Sequence, residues 1–259
     1  MDLPPSLTLT AIPGIPLVAP GDPLARILHD CAQAAGMAFQ TGDVLVIAQK
    51  IVSKSENQYM DLRDITPSAR AREIAAVVEK DPRFVEAVLQ ESAEVVRYQK
   101  NVLIVEHRTG IVMANAGIDQ SNIDHSGGRE NILLLPHDPD ASAERLRTEL
   151  MTLSGADIAV IINDSSGRPW RNGIVGIAIG AAGLTSLQDL RGEPDLFGRR
   201  LEVTESATAD ELASAASLVQ GQGSQGAPAV LIRGFAPPRA DAPRPARALV
   251  RERRIDMFR

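Results

Sequence analysis

The run Ile158-Ala159-Val160-Ile161-Ile162 gives way abruptly to Asn163-Asp164-Ser165-Ser166-Gly167-Arg168-Pro169-Trp170-Arg171-Asn172-Gly173. An apolar run of this length between Gly155 and Gly167 reads as a buried strand, so the chain must build a sheet and a core around it. Its end is a rigid place to mount polar groups. Asp164 and Ser165 are hard oxygen donors suited to magnesium or manganese. Arg168 and Arg171 have the donor geometry to clamp phosphate or carboxylate oxygens. The stretch points to metal-assisted chemistry on an anion. It also reads, more plainly, as a polar turn closing a strand, with Trp170 packed beneath the two arginines.

Composition narrows the alternatives. The 259 residues permit one large domain or two small ones, and 44% hydrophobic content supplies a core. Only 3% of residues are aromatic, so the core is aliphatic and base-stacking platforms are not expected. A net charge of -6 argues against a general binder of nucleic acid or anionic membrane. Cys31 is the single cysteine, which excludes an internal disulfide and cysteine-rich metal sites. No apolar run approaches the ~20 residues of a membrane span, and the N-terminus lacks the pattern of a signal peptide. A soluble, cytoplasmic protein is the expectation.

Strand and helix signals alternate irregularly. Leu7 to Ala11 and Asp43 to Ala48 read as strands. Asp22-Pro23, Thr66-Pro67 and Asp81-Pro82 read as helix starts. Val102–Val105 and Ile111–Ala114 flank Arg108-Thr109-Gly110 as a hairpin. Asp140–Leu153 and Thr208–Gln220 read as helices, Ile174–Ile179 and Val230–Ile232 as strands. The tail from Pro237, rich in Pro and Arg, is expected to be extended or loosely held. The fold class is α+β, a mixed α/β chain, with a subdivision near 65–100 or 185–205 as one option.

Gly221-Gln222-Gly223-Ser224-Gln225-Gly226 satisfies G-x-G-x-x-G, but a helix precedes it and a strand follows, the reverse of the dinucleotide-binding order. It remains a glycine loop whose N–H groups are free to approach a phosphate chain, or a plain helix-to-strand connection. Asp119, two residues after Gly117 at a strand end, is positioned like Asp164. Two such carboxylates can converge on one magnesium, which needs only one or two when phosphates complete its shell. Both also read as ordinary turn aspartates. Ser53-Lys54 follows a strand. His29, His107, His125 and His137 show no metal-binding spacing.

Six blocks, in order, resemble the coenzyme F-420-0:L-glutamate ligases, also called F-420:γ-glutamyl ligases. They are DVLVIAQKIVSKSE (43–56), GIVMANAGIDQSN (110–122), LLPHDPDASAERLR (134–147), INDSSGRPWRNGIVGIAIG (162–180), RGEPDLFGRRLEVTE (191–205) and ADELASAASLVQGQGSQGAPAVLIRG (209–234). The resemblance implies that family's fold, with room for two intertwined α+β subdomains, and a single ligase domain over 1–259 with 237–259 as a tail. It implies no C-terminal nitroreductase-like domain. The implied activity joins L-glutamate to the terminal carboxylate of F-420-0 or a related deazaflavin precursor, using GTP through an acyl phosphate. Magnesium or manganese at two sites, potassium, and a homodimer are implied as well.

By position, Asp119 and Asp164 resemble ligands of one metal, and Ser165 and Gln222 ligands of a second. Gly14, Ile15, Pro16 and Leu17, with Ser53, Lys54, Gln58 and Asn122, resemble GTP contacts. So does the loop Gly221, Gln222, Gly223, Ser224, Gln225, Gly226, Ala227 and Pro228. Arg168 and Arg171 are inferred to receive the incoming glutamate or the coenzyme's phosphate. Relatives usually read A-E-G-[RN] where this chain has Ser55-Glu56-Asn57-Gln58, and several carry an acidic residue at Gln222. Other readings are a non-catalytic GTP- or metal-binding paralogue, and a metal-dependent hydrolase or a ligase on another carboxylate.

Overall fold

The computed structural model describes residues 5–123, 128–236 and 241–257. The chain opens with β1 (Thr8–Ala11) and reaches α1 (Leu24–Ala34), whose Leu24, Ala25, Leu28 and Ala32 face inward at helical spacing. Asp22 does not cap this helix; its carboxylate accepts from the Ala19 N–H at 2.7 Å, and Pro23 holds the cap position. β2 (Val44–Ala48) runs without a break into α2 (Gln49–Ser55), then β3 (Tyr59–Asp61). α3 (Ala69–Val78) begins after Ser68, which accepts from the Ala71 N–H at 3.1 Å, rather than at Thr66-Pro67. α4 (Pro82–Gln90) starts on Asp81 and Pro82 as expected. The meander β4 (Ser92–Gln99), β5 (Val102–His107) and β6 (Val112–Ala114) follows, then β7 (Asn131–Leu133). α5 (Pro139–Ser154) precedes the long hairpin β8 (Ala159–Arg168) and β9 (Arg171–Ala182). The short pair β10 (Gln188–Asp189) and β11 (Glu205–Ser206), then α6 (Thr208–Gln220) and β12 (Ala229–Arg233), complete the order.

The main sheet has five strands in the order β1-β12-β2-β8-β9, with β2 and β8 parallel and the other pairs antiparallel. Its central strands are buried on both faces, so they read as continuous apolar runs. α1 and α5 pack on one face, over Leu45, Ile47, Val160 and Ile162. α6 packs on the other, over Val46, Ile161, Val230 and Ile232. A separate core gathers α3, α4, β5 and β7 around Ile74, Val85, Leu103 and Ile132. Mixed helix and sheet, in this arrangement, is the α+β class expected.

β8 departs from the sequence reading. It does not stop at Ile162; it continues to Arg168 and pairs with β9 through Arg171. Asn163 to Arg168 therefore form strand, not turn, and Trp170 is the turn, at φ 58° and 82% exposed rather than packed under the arginines. β9 is the outer strand, yet its free edge is sealed. The Ala178 N–H donates to Asp210 at 2.9 Å, the Ala181 N–H donates to Asp140 at 2.9 Å, and the Gly176 carbonyl accepts from Ser214 Oγ at 2.7 Å. Glycine is needed for the approach of both helices: a Cβ at Gly176 would stand 2.5 Å from the Ala213 carbonyl oxygen, and one at Gly180 2.3 Å from that of Pro139.

Asp140 also accepts from the Ala246 N–H at 2.8 Å and the Arg247 N–H at 3.2 Å. Ala246 is only 3% exposed. The 241–257 segment is thus docked on the sheet edge, contrary to the expectation of a loose tail. His125 and the 237–240 and 258–259 stretches lie outside the described residues.

Candidate functional site

Strand direction brings the predicted segments to one end of the main sheet. β1 ends at Ala11 beside Val230, and β12 begins at Ala229 beside Ile47, so the Gly14–Leu17 turn and the 221–228 loop leave from the same end. β2 ends there in Ala48, paired with Asn163 of β8. The carboxyl ends of the parallel pair β2 and β8 meet at this place, where open α/β sheets hold their ligands. The Ala48 N–H donates to the Pro228 carbonyl at 2.7 Å, and the Ile12 N–H to that of Ala229 at 2.9 Å, which closes the cluster.

Asp119 arrives from the other core. After β6 the backbone passes through Asn115, Ala116 and Gly117, all at positive φ (52°, 55° and 68°). A left-handed alanine is strained, and such strain gathers where function fixes a side chain. Lys80 Nζ donates to Asn115 Oδ1 at 2.8 Å to hold the bend. Asp119 then exchanges both backbone hydrogen bonds with Leu133 and points at the start of α2. Gln49 Nε2 donates to its Oδ2 at 2.9 Å, and Lys50 Nζ lies 3.2 Å from its Oδ1. Lys50 also donates to Ser121 Oγ at 2.9 Å, and Lys54 Nζ to the Asn122 carbonyl at 2.7 Å.

Asp164 faces the same place. Burial pushes its carboxyl up to about 7, and the Asp119 carboxylate pushes in the same direction. The Ser165 N–H, which donates to Asp164 Oδ1 at 2.8 Å, and the Lys50 charge oppose the rise only in part. Burial also raises Asp119, against Lys50. Two half-buried carboxylates that resist a second negative charge suit a cation. Among the described residues no group of three or more His, Cys, Asp or Glu could hold a metal. Two carboxylates could supply part of a hard dication's shell, with phosphates and water for the rest.

Ser165 and Gln222 meet as well: Ser165 Oγ donates to Gln222 Oε1 at 2.8 Å. Strand alternation puts Ser165 on the α6 side of β8 and Asp164 on the other. Gln225 Oε1 accepts from the Gly223 N–H at 2.8 Å and shapes the glycine loop, while Ser224 and Gly226 are exposed. Gly14 and Leu17 are exposed too. Ser53 is fully buried and its hydroxyl donates to Gln49 Oε1 at 2.9 Å, which orients Gln49. Gln58 Nε2 turns back to the Glu56 carbonyl at 3.4 Å. Asn57 adopts φ 56°, which asparagine tolerates. Arg168 and Arg171 pair across the end of the hairpin, beyond the carboxylates. Gln49, Lys50 and Ser121 were missed by the sequence reading. The signal for them was their place: Gln49 and Lys50 open a helix directly at the end of a buried strand.

A family profile described as F420-0:Gamma-glutamyl ligase matches residues 14–234. The chain is 45% identical over 253 residues to the coenzyme F420:L-glutamate ligase of Methanothermobacter thermautotrophicus, covering 98% of this chain and 99% of that one. The ligase of the same description from Methanopyrus kandleri is 45% identical over 257 residues, with 98% of each chain covered. That from Methanocaldococcus jannaschii is 46% identical over 221 residues, 85% of this chain and 86% of the other. With its strand ends, its two carboxylates and its glycine loop in the matched region, the chain belongs to the F420-0:gamma-glutamyl ligase family.

Proposed function

We propose that this protein is a GTP-dependent ligase that joins L-glutamate, through an amide bond, to the terminal carboxylate of coenzyme F-420-0 or a close deazaflavin precursor. Family membership supports a ligase forming a C–N bond in F420 biosynthesis. The observation that carries the chemistry is the meeting of Asp119 and Asp164 from separate cores at the sheet end that bears the glycine loop. Support for guanine and for the deazaflavin comes from the family.

A carboxylate is a poor electrophile, so it must first gain a leaving group. In this reading an oxygen of the acceptor carboxylate attacks the γ-phosphorus of GTP, and GDP leaves. The glutamate α-amine then attacks the acyl carbon, inorganic phosphate leaves, and the amine loses a proton. Asp119 and Asp164 would hold magnesium or manganese, which neutralises phosphate charge when bound. Gln49 and Lys50 fix Asp119, with Ser53 behind Gln49. The 221–228 loop and the Gly14–Leu17 turn supply nucleotide contacts. Lys54, anchored on the Asn122 carbonyl, adds a positive charge. Ser165 and Gln222 offer only neutral oxygens, which suits a weakly held second ion or potassium. Arg168 and Arg171 receive anionic parts of the substrates. A homodimer belongs to the same proposal.

Mass spectrometry of the coenzyme after incubation with GTP, magnesium or manganese, and glutamate tests this reading. A gain of one or more glutamyl units is expected. GDP release indifferent to coenzyme and glutamate would mean a hydrolase, and tight GTP binding without turnover a non-catalytic paralogue.

A further inference from the structure

Two side-chain bonds of the same spacing join β8 to the end of α6 and the loop that follows. Asn163 Nδ2 donates to Gln220 Oε1 at 2.6 Å, and Ser165 Oγ donates to Gln222 Oε1 at 2.8 Å. Each spans 57 residues of chain, so alternate positions of β8 meet alternate positions at the start of the glycine loop. The Ser165–Gln222 bond is exposed and lies in the site already described. The Asn163–Gln220 bond is buried, its residues only 5% and 8% exposed, and the ligase reading gives it no role.

Asn163 is the anchored member. Its backbone is paired with Ala48 of β2 on one side and Ala178 of β9 on the other. A Cβ at Gly176 would stand 2.6 Å from Asn163 Oδ1 and 2.5 Å from the Ala213 carbonyl oxygen, so the amide lies on the α6 side in space that only glycine leaves. Oδ1 has no hydrogen-bond partner among the described residues, and the bond to Gln220 is what holds the amide. Gln220 is the last residue of α6. Its Nε2 donates to the Pro228 carbonyl at 3.3 Å, which also accepts from the Ala48 N–H at 2.7 Å. One carboxamide thus ties both ends of the glycine loop to the strand residue directly before Asp164. In a buried place such a bond is strengthened, and leaving it half-made is costly.

We propose that Asn163 and Gln220 are a positioning pair that couples cation binding to nucleotide binding. They hold the glycine loop in register with Asp164, so that a cation on the carboxylates and a phosphate on the loop meet, and each ligand tightens the other. Being buried, the pair acts through the loop and Asp164 rather than on a ligand. This rests on the ligase reading and adds to it the residues that link its two binding functions.

The coupling is read on the full chain as a ratio: affinity for a fluorescent GDP analogue with saturating manganese, divided by affinity without it. Manganese titrations with and without GDP must give the same ratio. Gln220→Met keeps the volume and removes both amide bonds, and Asn163→Leu removes the pair from the strand side. Each is expected to lower the ratio by about 5-fold or more, with metal-free binding of the GDP analogue within about twofold of the unsubstituted protein. The double variant should fall no further than either single one, because the two residues act as a unit. An unchanged ratio in Gln220→Met would overturn the pair while leaving the ligase reading intact. Variants that fail to fold, or that lose GDP affinity equally with and without manganese, would overturn it too, by showing that the amides serve the fold alone. A GDP affinity in the unsubstituted protein that ignores manganese would overturn both the pair and the cation site it serves. If the ratio depends on the pair but no glutamate is added to the coenzyme, the ligase reading fails and the positioning pair stands.

Discussion

Asp164 is held where its own ionisation is opposed. Burial and the Asp119 carboxylate both raise it, and Lys50 compensates incompletely. Sites of this kind trade stability for function. Asp164→Asn should therefore stabilise the metal-free protein by about 1–3 kcal/mol in denaturant unfolding. The same change should lower glutamate-dependent GDP release by ~10²-fold or more. A second buried charge works in the opposite sense. His107 is fully buried, and the Thr109 N–H donates to its Nδ1 at 3.1 Å, which leaves Nε2 facing Glu91 Oε2 at 3.6 Å. His107 first, and Arg108 at 3.0 Å, hold the Glu91 carboxyl below the ordinary range against its burial. A lowered acid contributes stability above its unfolded value of ~4.3 and loses it as pH falls through the folded value. Glu91→Gln should cost about 1–3 kcal/mol at pH 7. That cost should shrink as unfolding is measured at pH 4 and below.

The elements differ in how far their residues announced them. α6 was legible to its ends because Leu212, Ala213 and Ala216 recur at helical spacing before a glycine loop. α2 carried no such stripe: it is only seven residues long and its buried set includes the polar Gln49 and Ser53, so apolar spacing did not mark it. β4 was hidden for the opposite reason, since most of its side chains are exposed. The outer half of β8 was hidden because its pairing with β9 continues beyond the apolar core, where polar residues suffice. The docking of 241–257 depends on Asp140, more than a hundred residues earlier, and no local pattern reports that. Asp140→Ala removes the acceptor for the Ala181 and Ala246 N–H groups. Hydrogen exchange at 246–249 should then quicken, with a loss of about 2–4 kcal/mol from the orphaned donors. Gly180→Ala forces a Cβ against the Pro139 carbonyl, and α5 must give way. A loss of about 1–3 kcal/mol is expected in thermal or denaturant unfolding.

At the scale of the molecule, the sheet topology does what no single motif could. One parallel pair, β2 and β8, is flanked by antiparallel partners so that four connections leave from the same end. The second core delivers Asp119 to that end through a left-handed bend. The family was legible in the order of six sequence blocks. The partners Gln49 and Lys50 of Asp119 were not, because those contacts join the two cores. Among the described residues no helix is long and apolar enough to cross a membrane. The central claim is that Asp119 and Asp164 form one cation site serving a nucleotide. Manganese binding followed by electron paramagnetic resonance, with GDP present, addresses it directly. The unsubstituted protein should bind the ion, and Asp119→Asn and Asp164→Asn should each weaken it by ~10–100-fold. Manganese held as tightly by either variant as by the unsubstituted protein would contradict the account.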